Sequence, residues 1–117
     1  MNKRDRMTRE TFGTALDSGY ITSYTLDLLE KSFVIHVDVL ENSVLTTYEV
    51  SFSGLSAFTF SDEKAHQWER LEITEVLLED FPDRSLTKEW RVWFDFWDVA
   101  ELSLRCAAIR VNGTVLA

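Results

Sequence analysis

Apolar and polar residues alternate along most of the chain after residue 20, a period that is typical of β-strands. Alternating segments at 20–28, 33–40 and 44–52 are separated by short polar breaks. Such breaks leave no room for the crossover helices that parallel strands require. The pattern therefore predicts an antiparallel meander of three strands.

The middle of the chain alternates less regularly. Residues 55–60 predict a short strand, and Ser61 is interpreted as the cap of a helical turn over residues 62–66. Residues 69–78 fit a strand, although two adjacent leucines break the alternation and leave a helix open.

The last third of the chain returns to regular alternation. Pro82 marks a loop, after which residues 90–97 and 102–106 predict two strands. An irregularity is expected at Ala107-Ala108, within the alternation that continues to residue 111. The turn dipeptide Asn112-Gly113 then predicts a short final strand.

The N-terminus carries the only clear helical pattern. Thr8 precedes residues 9–17, whose apolar positions share one helix face. The predicted fold class is α+β and mostly β: an antiparallel sheet, as a meander, a sandwich or a partly open barrel, with one short N-terminal helix. We expect residues 1–117 to form a single domain, in which residues 1–7 are a flexible basic arm.

Composition agrees with a globular domain. Hydrophobic residues make up 45% of the 117 residues, and the eight Phe, four Trp and three Tyr supply bulky core material. Cys106 is the only cysteine, so an intrachain disulfide is excluded, and its apolar neighbours predict a buried, inert thiol. No apolar run resembles a secretion signal or a membrane span, and we expect a cytoplasmic protein without a membrane partner.

The net charge of the chain indicates which classes of partner are favoured. Twenty acidic side chains against twelve basic ones give a net charge of −8, and residues 62–101 alone carry twelve acidic and five basic side chains. This sign disfavours nucleic-acid binding, because a negative surface repels phosphate. A basic protein partner is favoured instead, while the edge strands leave a homo-oligomer open.

Motifs for catalysis are missing. His36 and His66 have no neighbours at metal-ligand spacing, and His36 is interpreted as solvent-facing or paired across strands. The glycines are isolated, so no phosphate-binding loop is predicted. Asp95 and Asp98 are the one carboxylate pair considered as acid and base, but no spacing rule singles them out. We expect no enzyme activity, metal or cofactor.

The acidic region overlaps the Trp-rich strand at residues 90–97. Trp90, Val92, Phe94 and Phe96 are predicted to face the core. The opposite face is interpreted either as covered by the N-terminal helix or as an exposed surface rich in Trp and Arg. The candidate interaction surface comprises Glu72, Glu75, Glu79, Arg91, Trp93, Asp95, Trp97 and Asp98.

The order of elements, the segment 52–58 and the closing alternation at 102–111 resemble small bacterial proteins of the YxiG-like kind. The resemblance implies a bacterial cytoplasmic protein in the setting of contact-dependent toxin systems, where small acidic proteins serve as immunity partners. It transfers no catalytic residues.

Two functions therefore follow as expectations. The first is a protein–protein interaction module, of immunity type, that binds a basic partner through its acidic face. The alternative is a β domain that binds a small ligand and uses Trp93 and Trp97 as a stacking surface.

Overall fold

The computed structural model describes residues 7–63, 67–68, 70–80 and 89–116. Within them the elements are α1 (Arg9–Leu16), β1 (Tyr20–Asp27), β2 (Ser32–Glu41), β3 (Val44–Ser53), β4 (Ala57–Asp62), β5 (Leu71–Glu72), β6 (Glu75–Asp80), β7 (Trp90–Phe96), β8 (Ala100–Cys106), β9 (Ala108–Val111) and β10 (Thr114–Val115). Most of the predicted basic arm, His66 and the loop at Pro82 lie outside the described residues.

The predicted N-terminal helix is confirmed, and its start follows from local hydrogen bonds. Thr8 and Thr11 form a reciprocal capping box, in which each side chain accepts a hydrogen bond from the backbone N–H of the other residue. The helix packs chiefly against β6 and also against β2, and it fully buries Phe12 and Leu16. Among the described residues, no helix has the length and apolar character needed to cross a membrane.

The strands pair antiparallel, as the alternation predicted, and they form two sheets. The meander β1–β2–β3 lies within a sheet of order β10-β9-β3-β2-β1-β5, and the second sheet has the order β4-β8-β7-β6. Apolar residues of both sheets and of α1 form one buried core, in which Phe52 of the first sheet meets Phe94 of the second edge-on. The sheets are not closed into a barrel.

Two neighbouring strands pass from one sheet to the other at the same corner. β3 becomes β4 beyond Ser53, and β8 becomes β9 at Ala107, where the sequence predicted an irregularity. Ala107 N–H donates to Ser53 O at 2.9 Å, so the two bends remain paired. Gly54 has a φ of +66°, and a Cβ placed on it would lie 2.7 Å from the Cβ of Ala107. The corner therefore requires a residue without a side chain.

A third crossing corrects the prediction for residues 69–78. The segment is neither one strand nor a helix, because β5 pairs with β1 in the first sheet whereas β6 pairs with β7 in the second. Ile73 lies between them, fully buried, and its backbone exchanges hydrogen bonds with Ser18 and Gly19. The predicted helical turn after Ser61 is also wrong at its start, since Ser61 and Asp62 belong to β4.

We predict that Gly54→Ala lowers the free energy of unfolding by about 3 kcal/mol, because a left-handed backbone and a steric clash add together. Gly113 provides the matched control. It has a φ of +84° but no atom within 4 Å of the added Cβ, so Gly113→Ala should cost only about 1 kcal/mol. Urea denaturation measures both.

The double variant Gly54→Ala/Ala107→Gly should recover the steric part of the loss, because it removes the Cβ that the methyl group added at position 54 would meet. Equal losses for Gly54→Ala and Gly113→Ala would contradict the close approach at the corner.

Candidate interaction surface

The outer face of the four-stranded sheet carries the predicted surface residues in ordered rows. The strand register places Glu79 opposite Arg91 and Arg91 opposite Arg105 at one end of this face. Leu77, Trp93 and Ser103 form the row in the middle. The face is therefore polarised along the strand direction, with both arginines at the end that is far from the β7–β8 turn.

Carboxylates occupy the row next to the β7–β8 turn. Glu75, Asp95 and Glu101 lie directly opposite one another on β6, β7 and β8. Like charges in directly opposed positions are unfavourable in a sheet. Within the described part of the chain, no group of acidic, histidine or cysteine side chains has the arrangement of a metal site. We call Glu75, Glu101 and Asp98 of the adjoining turn, all three exposed, the acidic end.

Trp97 lies at the tip of this end. The connection between β7 and β8 comprises Trp97, Asp98 and Val99, and it contains a β-turn in which Val99 N–H donates to Phe96 O at 3.2 Å. Trp97 and Asp98 are the central residues of this turn, and both have a φ of +56°. Asn-Gly is the usual pair in such a turn because both central residues need a positive φ. A bulky residue in this region is uncommon and strained. The turn nevertheless presents the Trp97 side chain, which is 60% exposed.

Thr74 and Asp95 hold this turn in place. The Thr74 hydroxyl donates to Asp95, with both the backbone O and Oδ2 at 3.0 Å, and it accepts from Trp97 N–H at 2.9 Å. Asp98 N–H donates to Asp95 Oδ2 at 3.3 Å. Asp95 is only 7% exposed. Its carboxylate therefore supports the turn from beneath and is not part of an open acid–base pair.

Trp93 occupies the centre of the same face. Its side chain is half-buried, and its indole N–H donates to Glu101 Oε2 at 3.0 Å. With Leu77, Glu79 and Arg91 it lines a shallow open depression. No residue of α1 lines this depression, and Arg91 and Trp97 on the same sheet are exposed, so the expectation of a helix over this face is wrong.

One predicted surface residue lies elsewhere. Glu72 belongs to β5 at the edge of the six-stranded sheet, while Glu75 belongs to the four-stranded sheet. The chain changes sheets between them at Ile73 and Thr74. The candidate surface is therefore reduced to seven of its eight predicted residues, of which Asp95 is buried.

Sequence reasoning missed a polar network on the other sheet. His36 Nδ1 lies 2.9 Å from Ser23 Oγ, and His36 Nε2 lies 3.2 Å from Glu49 Oε2. This confirms cross-strand pairing of His36. The order serine, histidine, carboxylate is also that of hydrolytic triads. Here, however, Ser23 and Glu49 are exposed on an open sheet face, and water weakens such electrostatic interactions.

An aromatic cleft beside this network was also missed. Tyr20, Tyr24 and Trp68 line it, and the Arg70 guanidinium lies 5.2 Å from the centre of the Tyr20 ring. Trp68 donates its indole N–H to Asp62 at 2.8 Å, which links the cleft to β4. The spacing of these residues along the sequence follows no periodic pattern that predicts a common site.

The single thiol is buried, as predicted. Burial raises the pKa of Cys106 to about 12, the hydrogen bond to the Ala108 backbone acts to lower it, and the charge of Glu89 acts to raise it. The thiol therefore stays protonated over the physiological pH range and is a poor nucleophile.

We predict that Thr74→Val lowers the free energy of unfolding by about 1–3 kcal/mol, because it leaves the buried Asp95 carboxylate and the Trp97 N–H without their shared partner. Thr74→Ser keeps the hydroxyl and should lose much less. Urea denaturation compares the two variants. A loss for Thr74→Ser as large as that for Thr74→Val would contradict a dominant role of the hydroxyl.

We predict that Cys106 reacts with an aromatic disulfide reagent at neutral pH only as fast as the protein opens, because the native thiol is protonated and buried. Labelling in urea should be rapid. A native reaction as fast as that of the urea-unfolded chain would contradict the burial of this strand.

A scan of protein-family models and a search of curated proteins found no match to this chain. The YxiG-like resemblance therefore stays a prediction.

Proposed function

We propose that the protein is a non-enzymatic interaction module that binds a basic protein through the acidic end, with Trp97 as the central anchor. The observation that carries this proposal is the exposed Trp97 side chain in a left-handed turn. Tryptophan is enriched among the residues that dominate binding energies at interfaces.

The local energetics support a role in binding rather than in folding. A left-handed backbone costs a residue with a Cβ roughly 1–2 kcal/mol. Trp97 has little burial to offset that cost, and the turn depends on Thr74 and the buried Asp95. Strained residues held by their surroundings cluster at functional sites.

The charge distribution on this sheet face supports a positively charged partner. Glu75, Asp98 and Glu101 surround the β7–β8 turn, whereas Arg91 and Arg105 lie at the other end of the sheet face. A basic surface would relieve the repulsion between the opposed carboxylates. Complementary charge would also speed association and select the partner. In the immunity-type version of this proposal, the partner is a toxin with a basic surface.

The alternative function has its own supporting observation. Trp93 lines a depression with Leu77, Glu79 and Arg91, which together offer an aromatic surface, an acceptor and a cation to a small ligand. Of Trp93 and Trp97, Trp93 is the one that lines this depression. Tryptophan fluorescence against metabolites and sugars tests this function, and a flat response throughout would remove it.

We predict that Trp97→Asn abolishes binding of the partner without loss of stability. Asparagine tolerates the left-handed backbone, so the turn persists or becomes more stable while the indole is lost. The measurement is recovery of a basic protein from an extract of the source cell, with immobilised wild type or variant, at low and raised salt.

Leu45→Asn is the matched control, because Leu45 is 62% exposed and lies on the other sheet. Wild type and Leu45→Asn should recover the same basic protein at low salt and release it at raised salt. Undiminished recovery by Trp97→Asn, or no recovery by wild type at low salt, would contradict the proposal.

A further inference from the structure

β4 is an edge of the four-stranded sheet, and it is built differently from the opposite edge. Only β8 pairs with β4 among the described strands, whereas the edge strand β6 has α1 packed against it. Glu63 N–H donates to Val99 O at 2.8 Å, in continuation of the register that pairs Ala57 with Arg105. Because hydrogen-bonding direction alternates along an antiparallel strand, Phe58 and Phe60 direct their backbone groups away from β8.

The sequence of β4 lacks the devices that usually protect an edge. Residues 55–61 contain no charged residue and no proline, although 27% of the whole chain is charged. Natural edge strands are normally interrupted by lysine, proline or a bulge. The register of β4 with β8 is regular from Ala57 to Asp62. From Ala57 to Ser61, β4 therefore offers a regular, uncharged edge to another strand.

Phe60 adds an apolar contact at this edge. Its position in the register matches that of Phe58, whose ring packs edge-on against Phe33 in the core at 4.9 Å between centroids. Phe60 nevertheless remains 46% exposed. A further strand beside β4 would cover this ring.

We infer that two copies of the chain form a dimer by antiparallel pairing of β4 with β4, with the two-fold axis at Thr59. The edge is self-complementary in this register. Thr59 lies opposite its own copy, Phe58 lies opposite Phe60, and Ala57 lies opposite Ser61. Aromatic pairs in such positions stabilise a sheet. The register centred on Phe60 would instead place Phe58 opposite Asp62, a carboxylate.

Charge gives this dimer a salt dependence opposite to that of the acidic end. Each chain has a net charge of −8, so two copies repel. The pairing keeps carboxylates away from the axis, because Asp62 and Glu63 lie beyond the paired segment. Raised salt should therefore strengthen the dimer and weaken binding of a basic partner, and the two proposals can fail separately.

Sedimentation of the full chain over a range of concentrations, at low and raised salt, tests the dimer. Wild type should sediment as a dimer. Phe60→Lys, which places a charge at the edge, should sediment as a monomer. Leu77→Lys is the matched control, because Leu77 is also 46% exposed but lies on the face of β6. It should remain dimeric.

A second variant tests the inferred backbone direction. Phe60→Pro removes an N–H that points away from β8, so it should abolish the dimer and preserve the circular dichroism of the fold. Wild type that stays monomeric at high concentration and raised salt, or Phe60→Lys that stays dimeric, would overturn the inference. In the first case, a strand of another protein becomes the occupant to test.

Oxidation of Thr59→Cys tests the register without loss of the fold. Directly opposed residues of a non-hydrogen-bonded antiparallel pair have Cα atoms about 4.5 Å apart, a distance that a disulfide spans. Thr59→Cys should therefore yield a covalent dimer, whereas Ala57→Cys, which lies off the axis on the same face, should not. Equal cross-linking of both variants would overturn the proposed register.

Discussion

The corner at Gly54 and Ala107 is the constraint on which the rest of the fold depends. There two paired strands leave one sheet and enter the other together, and the Ala107–Ser53 hydrogen bond keeps them in register through the bend. Because both strands turn at once, Phe52 on one sheet and Phe94 on the other meet in a single core. Strands that switch sheets at bends are the usual way to form such corners. The close approach at Gly54 therefore helps to bring the apolar faces of the two sheets together.

At the candidate surface, the relation between backbone conformation and side-chain size is the opposite of that at Gly54. At Gly54 a small residue satisfies a demand of the backbone, whereas at Trp97 the backbone adopts a costly conformation around a large residue. The hydroxyl of Thr74 and the buried carboxylate of Asp95 connect that turn to the crossing between β5 and β6. Trp97, the two residues Thr74 and Asp95 that support its turn, and the segment that crosses from β5 to β6 thus form one hydrogen-bonded unit.

Sequence patterns predicted the elements better than their arrangement. Period-two alternation identified the meander and the inward face of β7, and the residues around Thr8 identified the helix, because these depend on neighbours in sequence. The burial of Asp95 was not predictable, since its partner Thr74 lies on a distant segment. The crossing at Ile73 was missed because β5 has only two residues, too few to show a period. Asp98 is a common turn residue, but nothing about Trp97 marks a left-handed backbone, which Asn, Asp and Gly tolerate best.

The shared corner also determines when the molecule can assemble. The meander joins neighbouring segments and can form early, but β3 also pairs with β9 and β4 pairs with β8, and both of these partners lie much later in the sequence. Contacts between segments so distant in sequence form slowly. Until β8 and β9 are available, β4 lacks its partner strand and β3 is paired only with β2. Completion of the core therefore depends on these distant pairings, and the interval before they form is the period in which the chain is most exposed to aggregation.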